Sequence, residues 1–256
     1  MTGRCRHLLL AGVFLLIAGM RALPASAASI PPETLAIVRR IVIQHGGRHK
    51  PFDSFARETL RAITGSPSWE HQDPVATVLS IVAEPDAWQD APLVDVPFKP
   101  LREALGMTPA TPRISYNDLV STRKLMRMLP AIVEKQERDE KLTMLENETM
   151  DAFNRFVSLN RLFEHDLELV PAPAVWRSIR QSQAYPAWSG FIDAIRQGEP
   201  AGMRASAERL ARTLRETNPA VYPATWRIEL ELFYNRAGVF QWAVILYLIA
   251  AIGLGW

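Results

Sequence analysis

His45 and His49, with Arg48, Lys50, Asp53 and Arg57 between and after them, bring two imidazoles and four charged side chains into thirteen residues. Two histidines four residues apart on a helix share one face and can hold a metal together. Here Gly46 and Gly47 fall inside the interval and Pro51 just beyond it, so the segment reads as a turn and the spacing loses that meaning. The expectation is two loop histidines, with His45 and His49 kept as weak candidates for a haem contact and no metal site. The four charged residues admit two readings. One is an internal ion-pair lock, the other a docking surface for an anionic group such as a haem propionate or for a partner protein.

Other constellations are poorer. Ser54 beside Asp53 does not make a triad, because adjacent positions cannot form one, and there is no GxSxG elbow. Gly46-Gly47-Arg48 lacks the spacing and the Lys-Ser/Thr end of a phosphate loop. His71 and His165 have no clustered partner. Without a nucleophile-base or metal constellation, no catalytic residue is expected and an enzyme is disfavoured.

The elements that must carry the charged group lie within residues 41–65. Ile41, Val42 and Ile43 form a β-branched run suited to a buried strand, and the two glycines break it. Pro51 forbids helix before it, and Asp53 or Ser54 would cap the helix that follows. Phe52, Phe55, Ala56, Leu60 and Ile63 recur at helical steps, and Gly65 supplies the stop.

The ends carry targeting signals. Arg4 and Arg6, an apolar stretch over residues 8–19 and Ala25-Ser26-Ala27 read as a signal peptide over residues 1–27. Without Arg4, Arg6 and Arg21 the 29 basic residues fall to 26 against 27 acidic, a net charge of −1. That balance gives no reason to expect nucleic acid as a partner. Cys5, the only cysteine, belongs to the same segment, so the rest of the chain can form no disulfide and carries no haem-attachment motif. Residues 239–256 have no charged side chain and reach about 27 Å as a helix, the lower limit for a membrane span. Trp242, Tyr247 and Trp256 suit its interfaces. The expected topology is an extracytoplasmic body over residues 28–238 and one transmembrane helix over residues 239–256, at the inner (cytoplasmic) membrane. No Lys or Arg follows that span, which suggests the front part of something longer, split or truncated.

The body is large enough for one sizeable core or two small ones. Residues 28–112 are Pro-rich, with a strand-turn-helix opening, a helix over 74–82, a short strand near Leu93, Val94 and Val96, and a small helix over 101–105. Residues 113–238 read as helical. A helix beginning near Ser115 would return as a hairpin into a longer one over 142–163, with three shorter helices after Pro173. The fold class is thus mainly α, with a short strand-turn element near the N-terminus and a C-terminal transmembrane helix.

The segment QHGGRHKPFDSFARETLRAITG resembles a signature of System II cytochrome c biogenesis proteins of the ResB/CcsB and ResC/CcsA fused type. Gly46, Gly47, Arg48, Lys50, Pro51, Asp53, Ala56 and Arg57 match it. The end, ELFYNRAGVFQWAVILYLIAAIGL, is similar to the E-x-x-YN entry into the first helix of that family's haem-handling membrane part, through Tyr234, Asn235, Phe240, Trp242, Ala243, Leu246 and Tyr247. His49 stands where the family has an aliphatic residue, Phe52 where it has leucine and Val239 where it has proline. The resemblance implies a membrane-tethered component that serves haem delivery to apocytochrome c. Its implied partners are apocytochrome c and a polytopic haem-handling protein, encoded directly downstream if the gene is split. Haem would be reached through the complex, since the family's haem ligands lie beyond residue 256. The alternative is a tail-anchored envelope binding or chaperone module unrelated to haem.

Overall fold

A computed structural model describes residues 30–108 and 111–237, with Val244, Tyr247 and Ala250 beyond them. The first elements are helix α1 (Pro32–Val38), strands β1 (Val42–His45) and β2 (Arg48–Pro51), and helix α2 (Phe52–Thr64). Gly46 and Gly47 take φ of 58° and 77°, the two positive values that a tight two-residue hairpin turn requires. Val42 therefore pairs with Pro51 and His45 with Arg48. The sequence reading missed the second strand, because its polar residues lack the apolar alternation by which strands are recognised.

The cap of α2 also differs from expectation. Neither Asp53 nor Ser54 caps it; Pro51 is the N-cap, with extended backbone and no side-chain hydrogen bond. The helix abuts the strand so closely that Phe52 N–H donates to the Ile41 carbonyl at 2.7 Å and Asp53 N–H to the Arg39 carbonyl at 3.5 Å. Backbone acceptors thus serve first-turn amides that a cap would otherwise satisfy. The side chains of Asp53 and Ser54 are left for other partners.

The core is built on α3 (Pro74–Ala83), in which every residue is buried. A helix apolar on all faces must be wrapped. Helices α1, α2 and α4 (Pro85–Trp88) wrap it together with α8 (Met144–Phe163) and α9 (Tyr185–Gln197). The Asp73 carboxylate caps α3 by accepting from Val75 and Ala76 N–H at 3.0 and 3.1 Å. Strands β3 (Val94–Asp95) and β4 (Arg113–Ile114) pair antiparallel around α5 (Lys99–Leu105).

The helix expected from Ser115 onward is two helices, α6 (Tyr116–Thr122) and α7 (Lys124–Glu137), broken where Arg123 adopts a left-handed conformation. Helix α7 packs on α8 as a helical hairpin, and Lys135 reaches across the bend to Glu146 at 2.6 Å. Glu146 also closes a capping box with Thr143. The hydrogen bonds from Lys135 and Thr143 push its carboxyl down to about 2. After a short 3-10 turn at Ile179–Gln181, α9 and α10 (Pro200–Thr217) pack on each other, and α11 (Thr225–Ala237) follows.

One part of the expected fold class is corrected. The chain is mainly helical, but no helix among the described residues is long and apolar enough to cross a membrane. Helix α11 is a charged helix whose Glu229 and Glu231 are tied to arginines of the body. The proposed span over residues 239–256 lies outside the described residues except for Val244, Tyr247 and Ala250, which are helical. The proposed signal peptide over residues 1–27 lies wholly outside them.

Two stability predictions follow from this packing. At Gly65, φ is 79° and an added Cβ would meet Asp95 Oδ2 at 2.9 Å. Gly65→Ala is expected to cost roughly 1–2 kcal/mol through the left-handed backbone alone, read as a lowered midpoint in thermal unfolding. His165 is held in one tautomer: Trp188 Nε1 can only donate, so His165 Nδ1 accepts at 3.2 Å and Nε2–H donates to the Val82 carbonyl at 3.1 Å. Burial, the largest cause, pushes its pKa below 6.5. The unfolded chain then takes up the proton first, so this contribution is complete above pH 6.5 and is lost on acidification below it. Unfolding midpoints measured across that pH should fall on the acid side, and His165→Asn should flatten the fall.

Candidate docking site at the glycine turn

The hairpin turn and the first turns of α2 present one face to α11, and the charged residues meet there. Arg48 spans two carboxylates: Nη1 donates to both Glu231 oxygens at 3.0 and 3.1 Å, and Nη2 to Glu58 at 2.9 Å. Lys50, only 4% exposed, donates to the other Glu58 oxygen. Burial alone would raise the Glu58 carboxyl. The Lys50 hydrogen bond and the charges of Lys50 and Arg48 outweigh that and hold it below its ordinary range.

Asp53 and Ser54 use the freedom left by the missing cap. Buried Asp53 accepts from Arg57 Nε at 2.9 Å, one helical turn on, and lies 3.8 Å from Arg39 Nε. Ser54 Oγ donates to Glu231 at 2.6 Å and accepts from Asn235 Nδ2 at 2.8 Å, while the same amide approaches Asp53 at 3.4 Å. Arg40 adds a tie to Glu229 at 2.6 Å.

The lock is therefore wider than the four charged residues suggested. Asp53 and Arg57 pair with each other, but Arg48 and Lys50 turn to Glu58 and Glu231. Glu58 and Glu231 were not singled out, although Glu231 is the glutamate of E-x-x-YN. That pattern was the signal by which it could have been found. Pro51 serves as N-cap, and Gly46 and Gly47 form the turn.

The two histidines separate. In the hairpin register His49 lies opposite Gln44, so it shares a face with Gln44 and not with His45. His45 packs edge-on against Phe55 at 5.1 Å, and His49 stacks on Trp176 at 4.5 Å. Burial is the first cause lowering the pKa of each, and nearby Lys50 and Arg161 lower His45 further. Imidazoles on opposite faces cannot ligate one iron together, so these residues do not fit a haem held between them. Among the described residues no three metal-ligating side chains cluster.

Trp176 is buried. With Val42, Ile228 and Leu232 it forms a small apolar cluster beneath α11, separate from the main core. Tyr222 packs on it and accepts the Val42 N–H at 3.0 Å. A cleft of about 280 Å³ opens beside this cluster, with His49, Lys50 and Pro51 on one wall and Arg227, Ile228 and Glu231 on the other.

No protein-family model matches the chain. The chain is 22% identical over 226 residues to Protein NrfI of Wolinella succinogenes, an alignment covering 79% of this chain and 24% of that protein. It thus spans about a quarter of that relative's length.

The geometry makes Glu231 the hub of the joint. Glu231→Ala removes one of the two carboxylates that Arg48 spans and the acceptor of Ser54, and should destabilise the seat of α11 by about 1–3 kcal/mol. Hydrogen exchange should show faster exchange in α11 than in α3. Equal protection of α11 in variant and parent would contradict the assignment.

Proposed function

We propose that the chain works in cytochrome c maturation as an extracytoplasmic scaffold. The observation that carries this reading is the joint itself. Two segments that separately resemble parts of System II cytochrome c biogenesis proteins, about 180 residues apart, meet through Arg48 and Ser54 on Glu231, and Ser54 on Asn235. The similarity to Protein NrfI supports cytochrome c biogenesis as the setting.

In this reading the joint holds α11 at a set angle to the body, so that a polytopic haem-handling partner and the apocytochrome are brought into register. Haem belongs to the pathway. This chain's own contribution is position: it has no cysteine after Cys5, and its two turn histidines face apart. The signal-peptide pattern over residues 1–27 supports an extracytoplasmic body.

Deletion of the gene in its host should lower covalently haem-stained c-type cytochromes on denaturing gels. Complementation with Arg48→Ala or Asp53→Ala, at matched protein levels, should restore less than the parent chain does. Normal c-type cytochromes in the deletion strain would overturn the reading.

A further inference from the structure

Helix α11 is apolar on two opposite faces. Ile228 and Leu232 are buried against the body, whereas Trp226, Leu230 and Phe233 are 63%, 58% and 66% exposed. The three exposed residues fall within an arc of about 60° on a helix of 3.6 residues per turn, and Ala237 continues the stripe. Large apolar side chains gathered on one face of a surface helix mark a contact that the isolated chain does not make.

Charge indicates what kind of contact it is. The acidic residues of α11 are consumed by the body, Glu229 by Arg40 and Glu231 by Arg48. Its basic residues, Arg227 and Arg236, have no carboxylate partner among the described residues, and Arg227 lies over the Trp226 ring at 5.3 Å. The outward face is thus an aromatic and aliphatic stripe with cationic flanks, suited to the boundary between acyl chains and anionic headgroups. The continuing sequence, residues 239–256, contains no charged side chain. Val244 and Tyr247 within it are 58% and 78% exposed.

We propose that the Trp226–Leu230–Phe233 face of α11 lies on the surface of an anionic lipid bilayer. The contact is interfacial, with the helix resting in the headgroup region, and Arg227 and Arg236 reach the phosphates from its two edges. The inference holds whether or not the chain serves cytochrome c maturation.

The test uses the full chain with Cys5→Ser, reconstituted with vesicles of phosphatidylcholine and phosphatidylglycerol. Single cysteines at Leu230, Phe233 and, as a control, exposed Gln136 at the end of α7 carry an environment-sensitive fluorophore. The expected result is a blue shift and several-fold stronger quenching by headgroup-region nitroxide lipid at positions 230 and 233 than at 136. That contrast should weaken in vesicles without phosphatidylglycerol. Three results would overturn the proposal: quenching by aqueous iodide and not by lipid at 230 and 233, shielding from both quenchers, which would indicate a protein cover, or equal lipid quenching at all three positions, which would indicate nonspecific adsorption.

Discussion

The carboxylate of Glu231 is the interaction on which the arrangement of the chain's two ends depends. It accepts from Arg48 on the hairpin and from Ser54 on α2, two donors that are far from it in sequence. A carboxylate with two such partners is geometrically committed, because moving α11 would take one of its two carboxylates from Arg48 and the acceptor from the Ser54 hydroxyl at once. The apolar contribution to the same joint is small, four buried residues apart from the main core. Polar complementarity therefore sets where α11 sits, and the small cluster excludes water beneath it.

That joint requires the backbone economy of the turn. Because β1 and β2 are linked by two glycines with positive φ, the strand after the turn delivers Pro51 directly to the start of α2. Carbonyls of Arg39 and Ile41 serve the first-turn amides. A conventional side-chain cap at Asp53 or Ser54 would have engaged the groups that the joint uses. The same hairpin register turns His45 toward Phe55 and His49 toward Trp176, which removes the most conspicuous metal-like spacing in the sequence from metal chemistry.

Helix α11 connects these features to the surface of the molecule. Its inner face is fixed by ion pairs and hydrogen bonds, and this fixes the direction in which its outer apolar face points. A helix seated mainly by charge can present aromatic residues outward without burying them in its own core, at the cost of needing another surface to cover them.

Much of the local structure was readable from residue order. The helix over Phe52–Thr64 with its glycine stop, the buried helix after Asp73, the helical hairpin and the three late helices all follow from periodicity, proline and glycine placement, which act within a few residues. The importance of Gly46 through Arg57 was visible in its density of charge, and Tyr234-Asn235 in its resemblance. The strand β2 and the displaced cap were not, since each is set by a neighbour that local pattern does not name: β2 by its pairing with β1, the cap by the carbonyls of Arg39 and Ile41. The pairing of Arg48 and Ser54 with Glu231 is the clearest case. Sequence alone determined that these side chains are charged or polar and lie on a turn, a helix start and a late helix. Only the tertiary structure decided that they meet, because hydrogen-bond partners 177 and 183 residues apart are selected by the packing of whole elements and not by local propensity.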